Sequence, residues 1–196
     1  MKIIVLLAGA ALSASLARPA HAADFTGPRV EVHAGWDRID VDDPSLKLDR
    51  GRDGIAYGLG LGYDLALGEK LVAGVEAEFD LSGVDFESVS GNTQVEAEAK
   101  RDFAVSARLG ARVGEKLLVY AKGGYTNARL AGALVVGGKT GTTRTEFRRN
   151  GDGFRLGAGA EIALAGKAYA KTEYRYSDYE GGVARHQLIA GVGLRF

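Results

Sequence analysis

Between positions 55 and 65 the chain alternates without an error. Ile55, Tyr57, Leu59, Leu61, Tyr63 and Leu65 are large and apolar, while Ala56, Gly58, Gly60, Gly62 and Asp64 are small or charged. A period of two predicts a β-strand, because successive side chains leave opposite faces. The rule recurs seven times. Val30, Val32, Ala34 and Trp36 oppose Arg29, Glu31, His33 and Asp37. Leu71 to Leu81 (odd positions) oppose Gly74, Glu76, Glu78 and Asp80. Phe103 to Val113 (odd positions) oppose Asp102, Ser106, Arg108, Gly110 and Arg112. Leu117, Val119, Ala121 and Tyr125 oppose Tyr120, Lys122, Gly124 and Thr126. Phe154 to Ile162 (even positions) oppose Arg155, Gly157, Gly159 and Glu161. Ala170, Thr172, Tyr174 and Tyr176 oppose Tyr169, Lys171, Glu173 and Arg175. Leu188 to Phe196 (even positions) oppose Gln187, Gly191, Gly193 and Arg195.

The pattern predicts eight strands of about 9–12 residues, the length a tilted strand needs to cross a bilayer, and an even number as in single-chain barrels. Three connections are short and alike: Leu67-Gly68-Glu69-Lys70, Val113-Gly114-Glu115-Lys116 and Ala165-Gly166-Lys167. The others, near 38–53, 83–94, 128–152 and 178–184, are mostly longer and polar. Tight turns at one end and long loops at the other are the transmembrane pattern. The expected fold is all-β, an eight-stranded antiparallel transmembrane up-and-down β-barrel over 23–196, with both termini on the periplasmic side.

Which face meets hydrocarbon follows from the second face. It is rich in Gly and Ala, and its charges nearly balance, as a network filling a narrow lumen requires. The expected network is Glu31, Glu76, Glu78, Asp102, Arg108, Arg112, Lys122, Arg155, Glu161, Lys171, Glu173, Arg175 and Arg195. A soluble lipocalin-like barrel, with the apolar face inward, is the alternative. Aromatics support the membrane reading. Trp36, Tyr57, Phe79, Phe103, Tyr125, Phe154 and Tyr176 fall toward the long-loop end, Tyr63 and Phe196 toward the turn end, as interfacial girdles do.

The first residues read differently. Lys2 precedes an apolar or small stretch, Ile3 to Leu16, and Ala20-His21-Ala22 is an A-x-A cleavage site, the layout of a signal peptide over 1–22. Its apolar run is short of the ~20 residues of a membrane helix. Lys and Arg total 25, as do Asp and Glu, so no charge excess points to nucleic acid. Cysteine is absent, which excludes a disulfide framework. Gly, at 29 residues, is about twice the usual ~7%.

Four segments carry a resemblance: Gly58-Leu59-Gly60-Leu61-Gly62-Tyr63, Gly74-Val75-Glu76-Ala77-Glu78-Phe79, Lys122-Gly123-Gly124-Tyr125 and Lys171 to Tyr179. They resemble the opacity-protein-like group of small OmpA-like outer-membrane β-barrels, which includes outer-membrane immunogenic proteins. The ending Gly191 to Phe196 looks like the terminal signal that the barrel-assembly machinery reads, with Phe196 as its aromatic last residue. The resemblance implies a Gram-negative outer-membrane location, a barrel without a peptidoglycan-binding domain, and surface loops that vary in what they contact.

Catalysis has little in its favour. His33 reads as lumen-facing near the periplasmic end and His186 as near the outer end, too far apart for a paired-His metal site, and no cofactor is expected. A lipid-modifying enzyme would have to use His186 with Ser177 or Glu180. In the first loop Asp37, Asp40, Asp42, Asp43, Asp49 and Asp53 stand among Arg38, Lys47, Arg50 and Arg52. They read as a solvated charged loop or a divalent-cation site. In the third, Lys139, Arg144, Arg148 and Arg149 suit solvation or lipopolysaccharide phosphate, and Leu134-Val135-Val136 extends a strand upward. The expected role is non-enzymatic: membrane integrity, or adhesion and antigen display through four loops. The competitors are a small pore and the lipid-modifying enzyme. Expected partners are outer-membrane lipid and lipopolysaccharide, the barrel-assembly machinery, and a host or surface ligand. N-terminal sequencing of protein extracted from membranes is expected to begin at Ala23; retention of Met1 would refute the signal peptide.

Overall fold

A computed structural model describes residues 25–43, 48–83, 85–90, 93–138, 141–180 and 182–196. The side chains of 41–43, 48–50, 85–90, 93–100, 130–138, 141–144 and 146–149 fall outside that description. The expected signal segment also lies outside the described residues.

The strands are β1 (Gly27–Asp43), β2 (Leu48–Leu67), β3 (Leu71–Ser82), β4 (Asp85–Ser90), β5 (Thr93–Val113), β6 (Leu117–Gly138), β7 (Gly141–Ala163), β8 (Ala168–Tyr179) and β9 (Val183–Arg195). Each pairs antiparallel with its neighbours, β3 pairs β5, and β1 pairs β9. Eight strands therefore close into a barrel, and β4 stands on its rim. Register pairs give the tilt. Gly27–Asp64–Gly74–Arg108–Lys122–Gly157–Arg175–Gln187–Asp37 is one unbroken circuit, returning to β1 ten residues further along. At ~3.3 Å per residue and ~4.8 Å between strands, that stagger sets a tilt of about 40°.

The alternation has the sense the sequence predicts. Ile55, Leu59, Leu61 and Leu65 are among the most exposed large side chains, at 56–65%. Glu31, Glu78, Arg155 and Arg175 are exposed by 1% or less. Phe79 pairs Phe103 and Tyr125 pairs Phe154, so aromatics from neighbouring strands meet in one outer belt. At the other rim, Gly68, Gly114 and Gly166 hold φ of 80°, 66° and 69°. A side chain is disfavoured there, so each tight turn takes glycine.

The long connections differ from expectation. Most of 38–53, 83–94 and 128–152 is strand. The β1–β2 ladder runs to Asp43 opposite Leu48, β4 pairs β5 up to Ser90 opposite Thr93, and β6–β7 runs to Gly138 opposite Gly141. The fourth connection is only a turn, from Tyr179 to Val183. Apolar alternation marks contact with lipid, whereas the backbone ladder continues into water without it. Where β3 gives way to β4, β5 shifts register between Ala99 and Arg101, a bulge of the kind found at barrel rims.

Several lumen glycines are spaces for a neighbour's side chain. A Cβ on Gly159 would lie 2.6 Å from the Thr172 carbonyl oxygen and 2.7 Å from the Tyr120 hydroxyl. Neither can retreat, since one is sheet backbone and the other is held by Glu173. Gly159→Val is expected to abolish the heat-modifiable, folded band on gels, while Gly83→Ala, whose Cβ meets only the Ile55 oxygen at 3.6 Å, is expected to leave it intact.

Candidate functional site

The inward face builds a polar column, and its floor is apolar. Phe25, Val72 and Leu118 form a buried cluster. Arg112 and Arg195 place their guanidinium carbons 5.8 and 5.6 Å from the Phe25 ring centre. Above it is a ring of two acids and two arginines. Arg108 donates bidentately to Asp64 at 2.8 and 2.6 Å and also to Glu161. Arg195 donates to Asp64 at 2.7 Å and to Glu161.

At mid-height the Lys122 ammonium touches three carboxylates, Glu76 at 2.5 Å, Glu78 at 2.8 Å and Glu173 at 2.7 Å, one for each proton it can donate. Lys171 donates to Glu31. Arg29 bridges Glu31 at 2.9 Å and Glu76. The Tyr169 and Tyr120 hydroxyls donate to Glu31 at 2.7 Å and to Glu173 at 2.6 Å. Higher, Arg175 reaches Glu173, Glu78 and Asp80, and Arg155 reaches Asp80 at 3.1 Å, Asp102 and the Ser177 hydroxyl at 3.0 Å. At the top Arg185 grips Asp37 bidentately at 2.7 and 2.6 Å and Asp102 at 2.8 Å. Among the described residues, nine buried carboxylates face eight buried Arg and Lys side chains, with His33 beside them. An unpaired ion there would cost several kcal/mol.

Twelve of the thirteen residues expected in this network are buried in the lumen: Glu31, Glu76, Glu78, Asp102, Arg108, Lys122, Arg155, Glu161, Lys171, Glu173, Arg175 and Arg195. Arg112 is half-buried at the floor. The list missed the Asp37–Arg185 clasp and Arg29. The signal was present, since Asp37 continues the inward parity of Arg29, Glu31 and His33. Asp37 is thus a lumen residue and not a surface-loop ligand. On the outside, Asp40 pairs with Arg38 at 3.0 Å and Asp53 accepts from the Trp36 indole at 3.0 Å. The remaining first-loop acids and the third-loop basic side chains lie outside the described residues.

Two histidine placements are corrected. His33 sits at mid-lumen, 2.5 Å from Asp80 and 3.6 Å from Glu31, because β1 begins at Gly27, and at ~3.3 Å per residue even a strand tilted by about 40° has risen about 15 Å by that point. His186 lies on the outer wall, its Nδ1 2.6 Å from the Tyr174 hydroxyl, whereas the Ser177 hydroxyl accepts from Arg155 inside. Ser177 and His186 therefore occupy opposite faces and cannot form a nucleophile–base pair. Glu31, His33 and Glu78 bring potential ligand atoms within 4.8 Å. These two acids already accept from Lys171, Arg29, Lys122 and Arg175, so a cation would have to displace bound cations to enter.

A closed barrel with an apolar, aromatic-belted exterior and an ion-paired lumen defines an outer-membrane β-barrel protein. The match of residues 4–196 to the family described as "Outer membrane protein beta-barrel domain" agrees, and the chain belongs to that family. It is 31% identical over 182 residues to the 31 kDa outer-membrane immunogenic proteins of Brucella melitensis and Brucella suis, covering 85% of this chain and 76% of theirs. Among solved structures it is similar in fold to Neisserial surface protein A (TM-score 0.56, 16% identity, 87% of this chain, 98% of that one). It is also similar to the attachment invasion locus protein of Yersinia pestis (TM-score 0.54, 16% identity, 87% and 99%). The protein resides in the outer membrane, in contact with its lipids, and the soluble-barrel alternative falls.

Lys122→Met would leave Glu76, Glu78 and Glu173 facing an apolar side chain. It is expected to lower unfolding free energy in denaturant by about 3–5 kcal/mol. Lys122→Met with Glu173→Gln, which removes one of the stranded charges, should lose less; equal or greater loss would contradict the role assigned to Lys122.

Proposed function

We propose that the protein is a non-catalytic surface protein, an anchor that helps maintain outer-membrane integrity and presents its projecting strands for adhesion or as antigens. The observation that carries this reading is the filled lumen. Ion pairs cross it from Arg195 at the floor to Arg185 at the mouth, and the strands that continue above the rim are the part free to meet a partner. The separation of Ser177 from His186 removes one of the two catalytic combinations the sequence offered and leaves only that of His186 with Glu180. A Yersinia protein named for attachment shares the fold, which makes display a role this architecture accommodates.

Under the same reading the first 22 residues are a cleaved signal peptide. Phe196 is the signal read by the barrel-assembly machinery; its ring is 64% exposed while its amide donates to Pro28 at 2.9 Å. Lipopolysaccharide is the expected neighbour of the projecting strands. A small pore is the second reading. The cavity of about 40 Å³ at the outer mouth has room for only a few waters, and Arg185 with Asp37 and Asp102 lies beside it, so conduction requires these ion pairs to open.

Two experiments test the proposal. Purified protein in planar bilayers is expected to show no steady conductance, and stable open channels would favour the pore. Deletion of the gene is expected to raise detergent sensitivity or reduce adhesion; wild-type behaviour in both assays would overturn the proposed role.

A further inference from the structure

Arg101 on β5 and Arg129 on β6 are direct cross-strand partners. Like charges facing each other in an antiparallel ladder repel. Other arginines near the rim are paired with acids, as Arg38 is with Asp40 and Arg185 with Asp37. Among the described residues Arg101 and Arg129 have no such partner. The carboxylate on the neighbouring stretch of that wall, Asp152, is engaged by the Tyr125 hydroxyl at 2.5 Å and the Asn127 amide at 2.6 Å. Among the described residues no acid forms an ion pair with either arginine to offset the repulsion, although Glu180 borders the same cavity.

Position says what would compensate it. By strand alternation Arg101 stands two residues above Phe103 on the lipid-side face of β5, and Arg129 four above Tyr125 on that of β6. Phe103 and Tyr125 belong to the outer aromatic belt and are 40% and 51% exposed. With a tilt of about 40°, the arginines lie about 5 and 10 Å beyond the belt. That is the headgroup layer, since belts mark the hydrocarbon boundary. Both residues also border the mouth cavity with Ser82, Tyr179, Glu180 and the buried Arg185, which puts them at the rim of the barrel.

We propose that Arg101 and Arg129 dock a phosphate of an outer-leaflet lipid headgroup. Two guanidinium groups offer planar, paired donors that match a tetrahedral oxyanion, and the anion between them turns a repulsive pair into a bridge. This site is distinct from the lumen network and rests only on the outer-membrane location.

The test compares wild type with Arg101→Gln/Arg129→Gln, refolded in a zwitterionic detergent, by the midpoint temperature of the heat-modifiable gel shift. Without lipid, the variant is expected to unfold at or above the wild-type temperature, because repulsion is relieved. A lower temperature would show that the arginines are satisfied within the chain and would overturn the proposal. Bis-phosphorylated lipid A is expected to raise the wild-type midpoint by several degrees and leave the variant nearly unchanged. Equal gains in both proteins, or an equal wild-type gain from the same lipid stripped of phosphate, would overturn it. So would a matching gain from pyrophosphate, since the anion need not then come from lipid. Arg129→Gln alone serves if the double variant does not refold.

Discussion

In hydrocarbon a backbone amide or carbonyl has no water to turn to, so every one must find a partner in the chain. A sheet meets that demand only by closing, and β1 against β9 is where this one closes. Thirteen register pairs run from Arg29 opposite Arg195 to Val41 opposite Val183. Closure forces a stagger and a tilt, and these fix how wide the lumen is and which side chains meet across it. The outward apolar face, the aromatic belt and the inward charges all follow from that ring.

The ring's interior presents a second problem, since eight strands leave room for side chains but not for a water column. A hydrocarbon filling would solve it, and the floor around Phe25, Val72 and Leu118 does so. Above the floor the chain uses long charged side chains and leaves glycine where they pass. Such a filling adds less stability than it adds definition, because a charge has few acceptable positions and a leucine has many. Lys122 among three carboxylates illustrates this, since another register would strand it. The outer rim runs the other way, with Arg101 and Arg129 opposed and, among the described residues, no ion pair to either.

Fold and lumen were legible in the sequence because one rule, alternation, governs both. Twelve lumen residues could be named from parity alone, and the closing pair β1–β9 from the even strand count. What alternation could not supply was height. His33 is only a few residues into β1 yet sits at mid-lumen, since parity says which face a residue takes and nothing of how far a tilted neighbour has climbed. Nor does it say where a strand stops. The pattern ends where lipid ends, so only Leu134-Val135-Val136 signalled the extension of β6, and the full reach of β6 and β7 to Gly138 and Gly141 was hidden in residues that read as loop. Asp37 lay at that same boundary and was counted among the first-loop acids for the same reason, although its parity already matched the inward face.

The meeting of the two ends has a consequence for how the molecule forms. Lys171 to Glu31, Arg185 to Asp37 and Arg195 to the Phe25 carbonyl join residues 140, 148 and 170 positions apart. None of these bonds has its partner nearby until the last strand has arrived beside the first. Contacts of such long range are slow to form, so a half-built sheet exposes both unpaired edges and uncompensated ions. The charges that join the two ends then act as a latch thrown late: they favour the fully shut ring over any shorter arc, and a chain halted part-way gains nothing from these closing pairs.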